Sequence, residues 1–229
     1  MDPIIRLIII IISSYLIGSF PSATIISKRF FGFDIRDKGS GNMGSTNAMR
    51  VLGWKWGLLV QVLDIVKGII AVVLATQIFN GTLPISNSTP FEDITVIKMI
   101  AGLSSVLGHI FSVFVHFKGG KGINTGAGFL LAIAPSEVGI AALLFILAVM
   151  LSGYISLGSI IAAIAIPLTL FIRHNVFNVD IPGYHTIVYF MIAVSIIVLL
   201  AHKTNIYRII HGTENKFSKF QILKFGNKK

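Results

Sequence analysis

The stretch Lys38-Gly-Ser-Gly-Asn-Met-Gly-Ser-Thr-Asn47, followed by Arg50, gathers more potential chemistry than any other part of this chain. Glycines let neighbouring N–H groups converge on an anion. Ser40, Asn42, Thr46 and Asn47 add short hydrogen-bonding side chains, while Lys38 and Arg50 add charge; a guanidinium can grip phosphate with two N–H groups at once. A second element of the same character is Phe117-Lys-Gly-Gly-Lys-Gly122, followed by Asn124 and Thr125. Here Gly119 permits close backbone approach and Lys121 supplies a point charge. The Walker spacing is absent and no Gly-Lys-Ser/Thr occurs, which argues against a nucleotide-hydrolysing engine. A third element is His202-Lys-Thr-Asn205 with Arg208, spaced i, i+3 and i, i+3 so that the three side chains share one helix face. Gly212-Thr-Glu214 then turns the tail back. Each element has a bland alternative: a solvated connector, a basic membrane anchor and a snorkelling helix end. Two cationic glycine loops at the edge of a membrane point to a site for phosphorylated substrates.

The elements that must position these groups are membrane helices. Of 229 residues, 54% are hydrophobic and only 12% charged, with mean hydropathy +0.85; soluble domains carry about 25% charged residues. The absence of cysteine removes disulfides and thiolate chemistry. The formal net charge of +10 is read as cytoplasmic loops beside anionic headgroups, with no nucleic acid as partner. The start of the chain shows no cleavable signal pattern. Apolar runs predict spans over residues 4–27, 56–79, 96–117, 123–134, 138–153, 155–172 and 184–201, the short fourth being the one that could dip in and return. The expectation is an all-α, polytopic membrane helix bundle of seven transmembrane helices forming one domain, 1–229. On one side, the segments 28–55 and 118–121, the turn at 153–155 and the tail from His202 hold six, two, no and seven Lys or Arg, fifteen of nineteen. The positive-inside rule places that side, with both glycine loops and the C-terminus, in the cytoplasm and the N-terminus outside.

Other polar residues carry weaker signals. Asp64 and Lys67, i, i+3 inside the second span, read as a structural ion pair in preference to a substrate contact. His109 and His116 lack a His-Glu-x-x-His pattern or a carboxylate cluster, so no metal site is expected. Ser156 and Ser159 stand at a helix start, where serines are usually caps. No histidine has an acidic residue five positions on, so the His/Asp pair of many glycerolipid acyltransferases is missing.

In order and spacing, one set of motifs resembles the bacterial acyl-phosphate:glycerol-3-phosphate acyltransferases, integral enzymes of the cell membrane. The set is Gly18-Ser-Phe-Pro21, Gly39 to Asn47 with Arg50, Leu63-Asp-Ile-Val-Lys-Gly68, Gly108-His-Ile-Phe111, Phe117 to Gly122, Ser156-Leu-Gly-Ser159, His202 to Asn205 with Arg208, and Gly212-Thr-Glu214. Departures are Ser112 where the family usually has Pro, Ser45 where it has Ala, and Ile123-Asn124-Thr125 where it has Val-Ala-Thr. The resemblance implies transfer of an acyl group from acyl-phosphate to glycerol 3-phosphate without a cofactor, the first acylation of phospholipid synthesis. It implies that Ser40, Asn42, Thr46, Gly119 and Lys121 hold the acyl-phosphate head and carbonyl. Arg50, Lys121, Ser159, His202, Asn205 and Arg208 would hold glycerol 3-phosphate, with Asn47 also in the substrate site. The catalytic set would be Ser40, Thr46, Lys121, His202 and Asn205. Membrane lipids are the remaining partners. The rival reading, an organic-anion carrier, would place its charges near the bilayer midplane rather than on one rim.

Overall fold

Ten α-helices follow one another among the residues described by the computed structural model, which are 1–81, 83–84, 87–214 and 216. They are α1 (Pro3–Ser19), α2 (Ser22–Phe31), α3 (Ser45–Leu52), α4 (Trp54–Ile78), α5 (Asp93–Ile110), α6 (Ile123–Ile133), α7 (Pro135–Ser152), α8 (Ile155–Asn175), α9 (Tyr184–Ala201) and α10 (Lys203–Ile210). Six stretches are long and apolar enough to cross a membrane: Pro3–Phe31, Trp54–Ile78, Asp93–Val115, Pro135–Ser152, Ile155–Asn175 and Tyr184–Ala201. The fourth predicted span becomes α6, of 11 residues. At a rise of about 1.5 Å per residue it covers about 16 Å, roughly half the ~30 Å hydrocarbon layer. Pro135 ends it by starting α7. The chain forms two units, residues 1–133 and 134–229.

In the first unit, the predicted first span is broken at Phe20-Pro21, because proline has no N–H to continue the helical ladder. Freed backbone groups at membrane depth must find partners within the protein. The Lys67 ammonium donates to the Phe20 carbonyl at 3.0 Å, and Ser112 Oγ donates to the Ser19 carbonyl at 2.5 Å. Ser22, the first residue of α2, donates to Asp64 Oδ1 at 3.0 Å. The polar residues of α4 therefore have a structural task beside the break.

Helix packing in a bilayer lacks the water-driven term and relies on close backbone contact. Glycines provide it. A Cβ on Gly18 of α1 would lie 1.9 Å from the Ser105 carbonyl oxygen of α5, and one on Gly108 of α5 would lie 2.1 Å from the Tyr15 carbonyl oxygen of α1. The short α6 is held against α4 in the same way, by Gly68 facing the Thr125 carbonyl and Gly128 facing that of Ile65.

In the second unit α7, α8 and α9 pack in sequence and α10 returns to α8. Glu137, buried at the start of α7, pairs with Arg173 near the end of α8.

Candidate active site

The first glycine loop is folded, not a solvated connector. Ile35, Met43, Ala48 and Leu52 are buried with Val60 of α4 and Val115, which fixes α3 on the end of α4. Asn47 holds the loop from inside. Its Oδ1 accepts from the Ser40 N–H at 2.9 Å, and its Nδ2 donates to the carbonyls of Asn42 and Lys38 at 2.8 and 3.1 Å. Asn42 Oδ1 accepts from the Gly44 N–H at 2.8 Å, shaping the turn into α3. The first turn of α3 carries N–H groups with no intrahelical acceptor, and Arg50 stands one turn beyond Thr46 on the same helix. Arg36 is tied down elsewhere, against Asp34 at 2.7 Å and the Val115 carbonyl at 3.0 Å. Its guanidinium, with help from Lys28, holds the Asp34 carboxyl well below its usual range.

The second glycine loop lies on the end of α5. His116 and Phe117 adopt left-handed backbone angles, φ 58° and 59°, and turn the chain back. The Gly119 N–H then donates to the Ile110 carbonyl and the Gly120 N–H to the His109 carbonyl, each at 3.0 Å. A Cβ on Gly119 would lie 2.0 Å from the His109 carbonyl oxygen, and one on Gly120 would lie 2.1 Å from His109 Nε2. These glycines allow the loop to sit on α5, and their two N–H groups are spent doing so. Gly119 lines a separate hollow with Arg36, Asp37, Gly41, His116 and Lys118.

The two loops meet around a cavity of about 400 Å³. Six predicted residues line it: Ser40, Asn42, Thr46, Asn47, Arg50 and Lys121. Ser45 and Asn124 bridge it, Asn124 Nδ2 donating to Ser45 Oγ at 2.9 Å. Arg50 and Lys121 have no ion-pair or hydrogen-bond partner among the described residues, in contrast to Lys28, Arg36, Lys67 and Arg173. Two unpaired cations among hydroxyl and amide groups in a space of this size can hold phosphoryl oxygens and offset charge on them.

Part of the cavity wall comes from the spans. Asp64 and His109 line it, and Asp64, Lys67 and His109 are 1%, 4% and 3% exposed. Lys67 Nζ lies 3.0 Å from Asp64 Oδ1 and 2.8 Å from His109 Nδ1. The expected ion pair is present and joined to a histidine from α5, a contact across 42 positions that no local spacing announces.

Ser159, His202, Asn205 and Arg208 belong to the second unit. Asn205 Nδ2 and Ser156 Oγ each donate to Glu214 Oε1 at 3.0 Å, and Arg208 Nε donates to Oε2 at 2.7 Å. Glu214 thus clips the end of α10 to the start of α8, after a turn at Gly212 with φ 68°. Arg208, then Asn205, hold its carboxyl below the usual range. His202 Nδ1 donates to the Val198 carbonyl at 2.9 Å. Ser159 Oγ donates to the Ile155 carbonyl at 3.1 Å. The sequence showed Glu214 only as part of a turn; its role as the common acceptor of this cluster comes from the fold. Among the described residues there is no group of three or more His, Cys, Asp or Glu side chains that could hold a metal ion.

Residues 8–212 match the glycerol-3-phosphate acyltransferase family. The chain is 43% identical over 224 residues to a glycerol-3-phosphate acyltransferase of Chlorobaculum tepidum, covering 91% of this chain and 95% of that one. It is 45% identical over 231 residues to one of Chlorobium phaeobacteroides, strain BS1, covering 92% and 96%. Among solved structures it is similar to PlsY (YgiH), an integral membrane glycerol 3-phosphate acyltransferase, in its glycerol 3-phosphate form. The TM-score is 0.67 and the identity 34%, with 93% of this chain and 96% of that one covered. The lysophosphatidic acid form of PlsY gives the same TM-score at 33% identity.

Proposed function

Since the chain belongs to the glycerol-3-phosphate acyltransferase family, we propose that it moves a fatty acyl group from acyl-phosphate to sn-glycerol 3-phosphate, releasing 1-acylglycerol 3-phosphate and phosphate. This would be the first acylation of phospholipid synthesis. The observation that carries the reading is the compact cavity in which Arg50 and Lys121 stand unpaired among Ser40, Asn42 and Thr46.

Acyl-phosphate arrives activated, so positioning and charge stabilisation suffice. The glycerol hydroxyl oxygen attacks the acyl carbonyl carbon. The bond from that carbon to the phosphate oxygen breaks, its electron pair leaves with phosphate, and a phosphate oxygen takes the hydroxyl proton. No protein base is then required, in keeping with the missing His/Asp pair. Lys121, Ser40 and Thr46 hold the phosphoryl and carbonyl oxygens, and Asn42 shapes their loop. Arg50 holds glycerol 3-phosphate in this cavity; the family resemblance assigns Ser159, His202, Asn205 and Arg208 to that substrate as well. Asn47 and Gly119 serve by shaping the loops, since their polar groups are already engaged.

Residues 1–229 act as one acyltransferase domain of the bacterial cell membrane. Counting α6 as a crossing element gives seven passes, the N-terminus outside and the basic loops, tail and active site on the cytoplasmic side. The acyl chain lies among apolar helix faces toward the inner leaflet.

The test is purified protein with acyl-phosphate and radiolabelled glycerol 3-phosphate, scored for lysophosphatidic acid, beside an acyl-CoA of the same chain length. Efficient turnover with acyl-phosphate and negligible product from acyl-CoA is expected, because the cavity suits a small anion. Comparable initial rates would overturn the donor assignment.

A further inference from the structure

His109, like Asp64, is an ionisable side chain at the cavity wall for which the chemistry above has no use; unlike a carboxylate, it can donate. Its surroundings fix its proton. An ammonium has three hydrogens and no lone pair, so it can only donate. Lys67 Nζ is within 3.0 Å of the Phe20 carbonyl, 3.0 Å of Asp64 Oδ1 and 2.8 Å of His109 Nδ1, one acceptor for each hydrogen. Nδ1 must then be the unprotonated, accepting nitrogen, and a neutral ring carries its hydrogen on Nε2. No group among the described residues accepts that hydrogen. With Nδ1 turned to Lys67, the Nε2–H is the ring's remaining polar group; the ring lines the cavity, and its Nε2 edge packs against Gly120, where a side chain would collide with it.

We infer that His109 is a further catalytic residue of this site, a neutral imidazole whose Nε2–H donates to the acyl carbonyl oxygen as negative charge develops there. The inference rests on the acyl-phosphate reading of the cavity. The oxygen is chosen by charge. Phosphate is anionic from the start, and Asp64, whose Oδ2 is buried without a partner, lies beside His109 and opposes it. Arg50 and Lys121 are the groups suited to that anion. A carbonyl oxygen is uncharged in the ground state and tolerates the carboxylate until the transition state. A neutral donor, polarised by the ammonium on its other nitrogen, is then most useful. The carbonyl also lies between the phosphate and the chain that enters the bilayer. His109, on a spanning helix, and Lys121, in the loop after it, follow the same order.

The experiment combines kinetics with a tautomer measurement. His109→Ala should lower kcat roughly 10²–10³-fold, the cost of removing one donor of this kind, with KM for both substrates near the wild-type value. His109→Gln places an amide N–H near the position of Nε2 and should recover most of the rate; His109→Asn, whose shorter amide mimics Nδ1, should not. Turnover in His109→Ala within about threefold of wild type would overturn the inference, as would a raised KM for acyl-phosphate at unchanged kcat. Nitrogen NMR of wild-type protein labelled on histidine reads the proton directly, whether or not the variants fold. A protonated Nε2 and bare Nδ1 at His109, assigned by loss of its signal in His109→Gln, is expected; the opposite tautomer or an imidazolium overturns it. Absence of turnover in wild-type protein with acyl-phosphate would instead remove the acyl-phosphate reading and leave the tautomer result standing.

Discussion

The hydrogen bond between Ser45 and Asn124 joins the two glycine loops across the cavity, and it can be cut from either end. Ser45 is the first residue of α3, the helix that carries Thr46 and Arg50; Asn124 follows Lys121 by three positions. The bond is 2.9 Å long, neutral and partly buried. Such a bond contributes about 1 kcal/mol net, or roughly fivefold in an equilibrium constant. Ser45→Ala leaves the Asn124 amide without its partner, and Asn124→Ala leaves the Ser45 hydroxyl without its donor. Each single variant should lose about 1 kcal/mol of stability. Each should also lose roughly fivefold in kcat/KM, because the spacing between Arg50 and Lys121 is relaxed. The double variant places Ala at both positions. It should cost no more than either single change, since removing both partners leaves no polar group stranded. The assay is a double-mutant cycle in detergent solution, reading thermal unfolding and steady-state rates in parallel. Effects that add to within about 0.3–0.5 kcal/mol would refute the claim that this bond couples the loops.

Lys121→Ala should leave a folded, membrane-inserted protein and lower kcat by at least roughly 10²-fold; rates equal to wild type would remove Lys121 from the reaction. Arg50→Ala should raise KM for glycerol 3-phosphate about ten- to hundredfold, the loss of a charge-assisted bond of about 1.5–3 kcal/mol. A shift in the acyl-phosphate KM alone would move Arg50 to the other subsite. Lys67→Met strands the buried Asp64 carboxylate and should destabilise the protein by about 3–5 kcal/mol, while adding Asp64→Asn should recover part of this; equal melting temperatures for wild type and Lys67→Met would contradict the pairing. Asp34→Asn should cost about 1.5–3 kcal/mol at neutral pH. Because Arg36 depresses the folded pKa of Asp34, this stabilisation is complete above the ordinary carboxylate value of 3.8 and is lost as pH falls through the lower folded value. The gap between wild type and variant in denaturant titrations should therefore narrow only in strong acid; a gap that is constant down to pH 2 would show that the carboxylate charge contributes nothing.

The spans were legible because hydrophobic runs of bilayer length leave few alternatives. What interrupts them was not. The sequence predicts one helix from residue 4 to 27, yet a proline can kink a helix or end it, and which happens depends on partners for the freed carbonyls. Those partners are Lys67, 47 positions away from Phe20, and Ser112, 93 away from Ser19. The polar loop 28–55 was legible from its composition as a dense cluster of cations and short polar side chains. Its content of a helix over Ser45–Leu52 was not, since Gly, Ser, Thr and Asn favour turns and caps over helix interiors. Tertiary burial of Ala48 and Leu52 overrides that preference.

The glycines carry a sharper lesson about the site. Lys-Gly-Gly-Lys suggests backbone N–H groups aimed at an anion, but here the N–H groups of Gly119 and Gly120 are bound to the end of α5. A missing side chain can admit either a ligand or another part of the protein, and spacing alone does not distinguish them. The contacts do. Gly120 is small where the His109 ring needs room, and Lys67, which closes the break at Phe20, also fixes that ring's tautomer. The same argument covers Ser112 and the Ser45–Asn124 pair. Ser112 gives the Ser19 carbonyl a donor, while Ser45 and Asn124 satisfy each other. A polar side chain in an apolar setting is costly unless paired, so an unusual polar residue in a membrane protein predicts a second polar group within reach. Here the partner of Ser112 is a backbone carbonyl 93 positions away and the partner of Ser45 is a side chain 79 positions away, which is why neither could be read singly.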